Sequence, residues 1–175
     1  MRIPIESSTS YRGRNSRPNW LVLGIFVALA LAAGAVGAAF APGASAATSH
    51  WYAMLAKPAW VPPYNWLGPV WIVLYVLMGT AAWLVWRERY HRRRSAALAA
   101  YALQLLLNAL WAPLFFGARN IGAGLFVIVA LWLSIVWTMR EFAAVKSGAA
   151  WLMAPYLTWI SWAAALNLAI WRLNP

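Results

Sequence analysis

The sequence contains no cysteine. Disulfides, thiolate metal sites and a cysteine nucleophile are therefore excluded, and cysteine usage says nothing about redox compartment. Charge is also scarce. Asp, Glu, Lys and Arg make up 10% of the 175 residues, against about 25% in an ordinary soluble domain. With three acidic residues and two histidines, no Ser-His-Asp set or metal cluster can be assembled, and no phosphate-binding loop is present. His50 and His91 both fall in connecting segments and carry no assigned role. The net charge of +11 does not mark a nucleic-acid binder, because the basic residues flank long apolar stretches instead of clustering on one polar face.

What is present is apolar and aromatic. Hydrophobic residues account for 64% of the chain, and 14 residues are tryptophan. Five charge-free runs stand out: Trp20–Ala41, Trp66–Trp86, Ser95–Ala118, Asn120–Met139 and Ser147–Trp171. Each is long enough for a helix to cross the hydrocarbon core, which takes about 20 residues. Their apolarity is even, not alternating, so helices and not barrel strands are expected. The fold class is an all-α membrane protein, a bundle of five transmembrane helices over residues 20–175, behind a disordered basic tail over residues 1–19. The first run, at about 22 residues, exceeds the 7–15 of a signal-peptide core and is read as a retained helix.

None of these cores contains Asp, Glu, Lys, Arg or His, so the usual groups of a proton relay or ion-coupled carrier are missing. The basic residues instead report orientation. Arg2, Arg12, Arg14 and Arg17, the Arg87, Arg89, Arg92, Arg93 and Arg94 cluster, and Arg140 with Lys146 all fall on one side. Lys57, Arg119 and Arg172 fall on the other. The positive-inside rule then places the N-terminus in the cytoplasm and the C-terminus outside a bacterial inner membrane.

Function must rest on aromatic and amide groups. Gln104, Asn108, Trp111 and Phe115 share one helical face by spacing, as do Pro155, Trp159, Ala163 and Leu166, while Trp71 and Tyr75 are one turn apart. An apolar, aromatic-lined pocket with a few convergent polar groups is the expected kind of ligand site. Spacing alone favours core packing over ligand contact for these residues, and Trp20, Trp86, Trp137 and Trp171, at helix ends, read as interface anchors. Asn108 and Asn167 are also placed to hydrogen-bond between helices. Pro69, Pro113 and Pro155 are expected to kink their helices. The long connection from Pro42 to Asn65 holds Trp51, Tyr52, Trp60 and Tyr64 among Pro58, Pro62 and Pro63, and is expected to pack over the outer end of the bundle. Small residues at Ala30, Gly34 and Ala38, and at Ala96 and Ala100, permit close helix approach, either within the bundle or in a homodimer.

Several words of the sequence are more specific. Trp51-Tyr52-Ala53-Met54-Leu55-Ala56-Lys57-Pro58, Trp60-Val61-Pro62-Pro63 and Pro69-Val70-Trp71 with Leu74-Tyr75 resemble the TspO/MBR family of tryptophan-rich sensory proteins and translocator proteins. So do Gln104-Leu105 with Leu107-Asn108, the run Trp111 to Arg119, and Pro155-Tyr156 with Trp159 and Ala165-Leu166-Asn167. The resemblance implies a five-helix protein that binds porphyrins such as protoporphyrin IX or haem, and isoquinoline or benzodiazepine-type ligands, in a pocket beneath the first connection. The implied ligand-binding set is Trp60, Trp71, Tyr75, Asn108, Trp111, Phe115, Trp159, Ala163 and Leu166, with Lys57 or a loop amide near the ligand's carboxylates. The first reading is a membrane sensor or regulator that binds a tetrapyrrole; a light-dependent porphyrin-degrading enzyme would use Trp71 and Trp159, and a porphyrin or sterol transporter is the third reading. Two positions depart from the animal pattern: Leu168 replaces the tyrosine of the sterol motif, and Ala123 replaces a pocket tryptophan. Membrane lipid and a second copy of the chain are the expected partners.

The charge asymmetry has a direct test. A cysteine replacing Asn174 should react with an impermeant reagent added outside intact cells, whereas one replacing Ser8 should not; the reverse labelling would invert the topology.

Overall fold

A computed structural model describes residues 19–62 and 67–175. The expected tail therefore lies outside the described residues apart from Asn19, as do Pro63 to Trp66, including the first residue of the second expected run. The described residues form α1 (Trp20–Ala38), α2 (Ala46–Met54), α3 (Leu67–Arg87), α4 (Arg94–Ala112), a π-helical turn (Pro113–Gly117), α5 (Ile121–Val145) and α6 (Ser147–Leu173). Five of these helices are long and apolar enough to cross a membrane, and α2 is the short exception.

The five long helices close into a ring. α1 packs on α3, α3 on α6, α6 on α5, α5 on α4, and α4 returns to α1. Met78, Ile128, Leu131, Ile135, Met153 and Ile160 are buried in the shared core. α1 is the most peripheral member; Ala30 is its one buried residue. It is apolar on every side, as expected of a helix that faces lipid for most of its circumference.

Close approach between α1 and α3 depends on glycine. A Cβ at Gly79 would lie 2.6 Å from the Val27 backbone, and one at Gly34 would enter the Tyr75 ring. Ala30, Ala97 and Ala100 are also fully buried. Most of the small residues that permit close approach are thus used inside one bundle, although Ala38 and Ala96 are exposed.

Element boundaries differ from the charge-free runs for identifiable reasons. α5 continues through Arg140 and Glu141 to Val145, since nothing in that stretch breaks a helix; charge ends an apolar run, not a backbone hydrogen-bond ladder. A single residue, Lys146, then separates α5 from α6, its ammonium 2.8 Å from Glu88, while Arg93 pairs with Glu141 at 3.5 Å. Pro69 sits in the first turn of α3, where its missing N–H is harmless. After Pro113 the backbone widens into the π turn, closed by Ala118 N–H donating to the Pro113 carbonyl at 2.8 Å. Arg119 then adopts a left-handed φ of 53° to reverse the chain into α5.

The described part of the first connection contains a helix, α2. Ser45 caps this helix, its hydroxyl accepting from Thr48 N–H at 3.1 Å. Trp51 and Tyr52 meet Phe115 and Phe116 edge-on at 5.9 and 5.6 Å, seating α2 on the π turn. Ala56 hydrogen-bonds Asn174 beyond α6, so the first connection and the C-terminal end of α6 share one face of the bundle, as five crossings require.

Replacing Gly79 with Val should lower stability by about 1–3 kcal/mol through overpacking, read as a fall in melting temperature in detergent. The same change at Gly24, where an added Cβ meets nothing within 4 Å, should have little effect.

Candidate functional site

Beneath the first connection the aromatic side chains fall into two groups. In the first, Trp71 stacks on Tyr75 with centroids 5.4 Å apart and planes 22° apart. Its other neighbours are Tyr156 and Trp159, each at 6.3 Å and steeply inclined. Trp159 lies 5.2 Å from Trp162, which meets Trp60 of the first connection edge-on at 6.0 Å. A continuous series of rings thus runs from the buried Tyr75 to the half-exposed Trp60. Offset and edge-to-face pairs are the arrangements that aromatic quadrupoles favour.

A polar node anchors the inner end of the series. Asn108 on α4 accepts the Tyr75 hydroxyl proton at 2.8 Å and donates through Nδ2 to the Tyr156 hydroxyl at 2.8 Å. All three residues are buried. One amide therefore ties α3, α4 and α6 together at a depth where water is not available to replace it.

In the second group, Trp111 stacks on Phe115 at 5.2 Å, with Phe116 edge-on to both. The Trp111 indole N–H donates to Asn167 Oδ1 at 3.1 Å, and Asn167 donates to the Ile121 carbonyl at 3.2 Å. This group supports α2 from below. Its rings connect to the first group through α4, where Asn108 and Trp111 are one turn apart.

The open space lies at the flank of these rings. A groove of about 430 Å³ runs between the first connection and α6, lined by Trp60, Pro62, Pro155, Thr158, Trp159 and Trp162. Of the expected set, Trp60 and Trp159 line it. Trp71 stands one ring behind Trp159, while Tyr75 and Asn108 brace that ring from the core. Trp111 and Phe115 hold up α2. Ala163 packs partly buried against the core and Leu166 is partly exposed; neither lines the groove. Tyr156, Thr158 and Trp162 were not in the expected set. Thr158 and Trp162 follow Pro155 at i+3 and i+7, so helical spacing alone would have reached them; counting by i+4 and i+8 led instead to Ala163.

Lys57 has a different task from meeting a carboxylate. Its three N–H donors reach the carbonyls of Tyr52, Ala53 and Leu55 at 2.7, 3.2 and 2.8 Å, and its ammonium lies 4.8 Å from the Tyr52 ring centre. It closes the C-terminal end of α2, where a cation also complements the helix dipole.

Comparison with known proteins fits this architecture. The TspO/MBR family model matches residues 26–172. This chain belongs to the TspO/MBR family. It is 44% identical to protein CrtK of Rhodobacter capsulatus, over 86% of this chain and 90% of that one. It is 41% identical to the tryptophan-rich protein TspO of Chlorobaculum tepidum, over 89% and 97%. Human translocator protein is 40% identical over 71% of this chain and 75% of its own. Family membership and the five apolar helices together make this TspO/MBR chain an integral, multi-pass membrane protein.

Replacing Asn108 with Leu removes the shared partner of two buried phenols. The cost should be about 1–3 kcal/mol for each hydroxyl left unpaired, seen as a lower melting temperature in detergent, and Tyr75→Phe should recover part of it in the double variant.

Proposed function

We propose that this TspO/MBR chain is a membrane sensor or regulator that binds a tetrapyrrole in the groove between the first connection and α6. One observation carries the reading: the groove is walled by the indoles of Trp60, Trp159 and Trp162 and backed by Trp71. A porphyrin presents a flat, apolar face that indole rings can stack on. Its edge carboxylates would lie toward the surface and meet backbone amides of the first connection, since the Lys57 ammonium is occupied by three carbonyls. The names of the relatives, a sensory protein among them, agree with a signalling role. Flat isoquinoline and benzodiazepine-type ligands would use the same wall. The basic asymmetry supports an inner-membrane protein with its N-terminus in the cytoplasm.

The ring series favours a second reading. Trp159 and Trp71 are in contact, and Trp71 stacks on Tyr75. Oxidisable rings therefore lead inward from the groove, so a photoexcited porphyrin held there would take one electron from Trp159, leaving an indole radical cation and a porphyrin radical anion that dissolved dioxygen then oxidises and opens.

Titration of the purified protein with protoporphyrin IX, in the dark and under illumination, separates the two. Binding alone quenches Trp emission and leaves the Soret band intact; degradation bleaches that band only in light. Trp159→Ala should weaken binding by about 1–3 kcal/mol, by analogy with bases stacked on aromatic residues. Trp71→Ala should cost less, and Trp86→Ala, at the arginine-rich end, should cost almost nothing. Equal losses for Trp86 and Trp159 would place the ligand elsewhere.

A further inference from the structure

We propose that Asn174 is a latch that holds the first connection over the groove and thereby sets how fast a ligand enters and leaves. The inference rests on the reading that the groove takes a ligand. Its basis is a pairing across 118 residues of sequence. The Ala56 N–H donates to Asn174 Oδ1 at 3.0 Å, and Asn174 Nδ2 donates back to the Ala56 carbonyl at 3.0 Å. A side-chain amide thus reproduces the reciprocal bonding of two paired strands.

The rest of Asn174 is fixed to the bundle. Its second Nδ2 proton goes to the Ile170 carbonyl at 2.8 Å, and its backbone N–H reaches the same carbonyl at 3.1 Å. The orientation of the amide follows from this network: reversing it would set NH₂ against the Ala56 N–H and oxygen against two carbonyls. One residue therefore closes the last turn of α6 and grips the first connection.

Among the described residues, these two bonds to the cap of α6 are the only hydrogen bonds from the first connection to the part of the chain that follows it. Ala56 also occupies a decisive point along the chain. α2 ends just before it, seated on the π turn and closed by the residue after Ala56, Lys57. Four and six residues after it come Trp60 and Pro62, which wall the groove. Trp60 itself remains 47% exposed and is held by an edge contact to Trp162. The strap from Ala56 to Pro62 is thus joined to a rigid lid at one end, and its polar tether to the bundle is Asn174. Both bonds are near the aqueous end of α6, so water can replace them when the strap lifts, which keeps opening accessible.

The test uses the full chain with Asn174→Ala and Asn174→Asp. Aspartate keeps the acceptor for the Ala56 N–H but can return no bond to the Ala56 carbonyl. Hydrogen exchange at residues 56–61 should accelerate by roughly thirty-fold in the Ala variant, the scale of losing two bonds of ordinary net strength, and by less in Asp. In stopped-flow mixing with protoporphyrin IX, association and release should both accelerate, with a smaller change in affinity. Trp159→Ala provides the contrast: it should speed release without changing exchange in the strap. Unchanged exchange at residues 56–61 in Asn174→Ala would overturn the latch whether or not protoporphyrin binds. Accelerated exchange with unchanged ligand rates would also overturn it, leaving Asn174 a structural cap. If the unmodified protein binds no protoporphyrin, the functional reading fails, and the exchange result alone decides whether Asn174 secures the strap.

Discussion

The arrangement of this protein depends on one amide. Asn108 accepts from Tyr75 and donates to Tyr156, joining three helices that are far apart in sequence. In a bilayer, helix association gains little from the hydrophobic effect, because lipid tails are as apolar as the side chains they would replace. Close packing and directional bonds must select which faces meet. Buried between two phenols, Asn108 fixes the relative rotation of α3, α4 and α6, and with it the side of each helix that presents an indole.

From that point the site builds outward. Tyr75, held by Asn108, supports Trp71; Trp71 bears on Trp159; Trp159 bears on Trp162; and Trp162 meets Trp60 in the strap. Gly34 makes room for the Tyr75 ring, so the approach of α1 also bears on this series. The abundance of tryptophan therefore has more than one cause. Trp20 and Trp171 stand at helix ends, exposed and half-exposed, and Trp20 also stacks on Trp83; Trp137, expected at an end, is half-exposed two turns inside α5, which runs on to Val145. Trp86 lies beneath Arg89 and Arg94. Trp111 carries α2. The tryptophans that line the groove are Trp60, Trp159 and Trp162.

The face of the bundle that carries the first connection is organised by caps. Ser45 starts α2, Lys57 ends it, Asn120 starts α5 through a 2.9 Å bond to Ala123 N–H, and Asn174 ends α6 while holding Ala56. Each satisfies backbone groups that a helix end leaves open. Polar side chains that might have been assigned to a ligand are used to fix a lid of α2 and the following strap above an aromatic floor. The lid is positioned by few hydrogen bonds and several ring contacts, whereas the bundle beneath it is closed on all sides.

The sequence by itself determined five crossings, because a charge-free apolar run of about 20 residues has few other stable states in lipid. It also determined the family, through words such as Trp51 to Pro58 and Trp111 to Arg119, and the helical faces on which Trp71, Asn108 and Trp159 stand. Helical spacing fixes which residues share a face, but not which neighbouring helix that face meets. The ring order, with α3 against α6 and α1 against α4, came only from the tertiary structure, and so did the placement of Tyr156 and Trp162 within the aromatic series. The role of Lys57 was equally hidden, since a lysine beside a predicted pocket reads as a ligand contact until its three protons are found on three carbonyls. The pairing of Ala56 with Asn174 spans 118 residues. No local pattern encodes it; it exists because five crossings bring the end of α6 to the same face as the first connection.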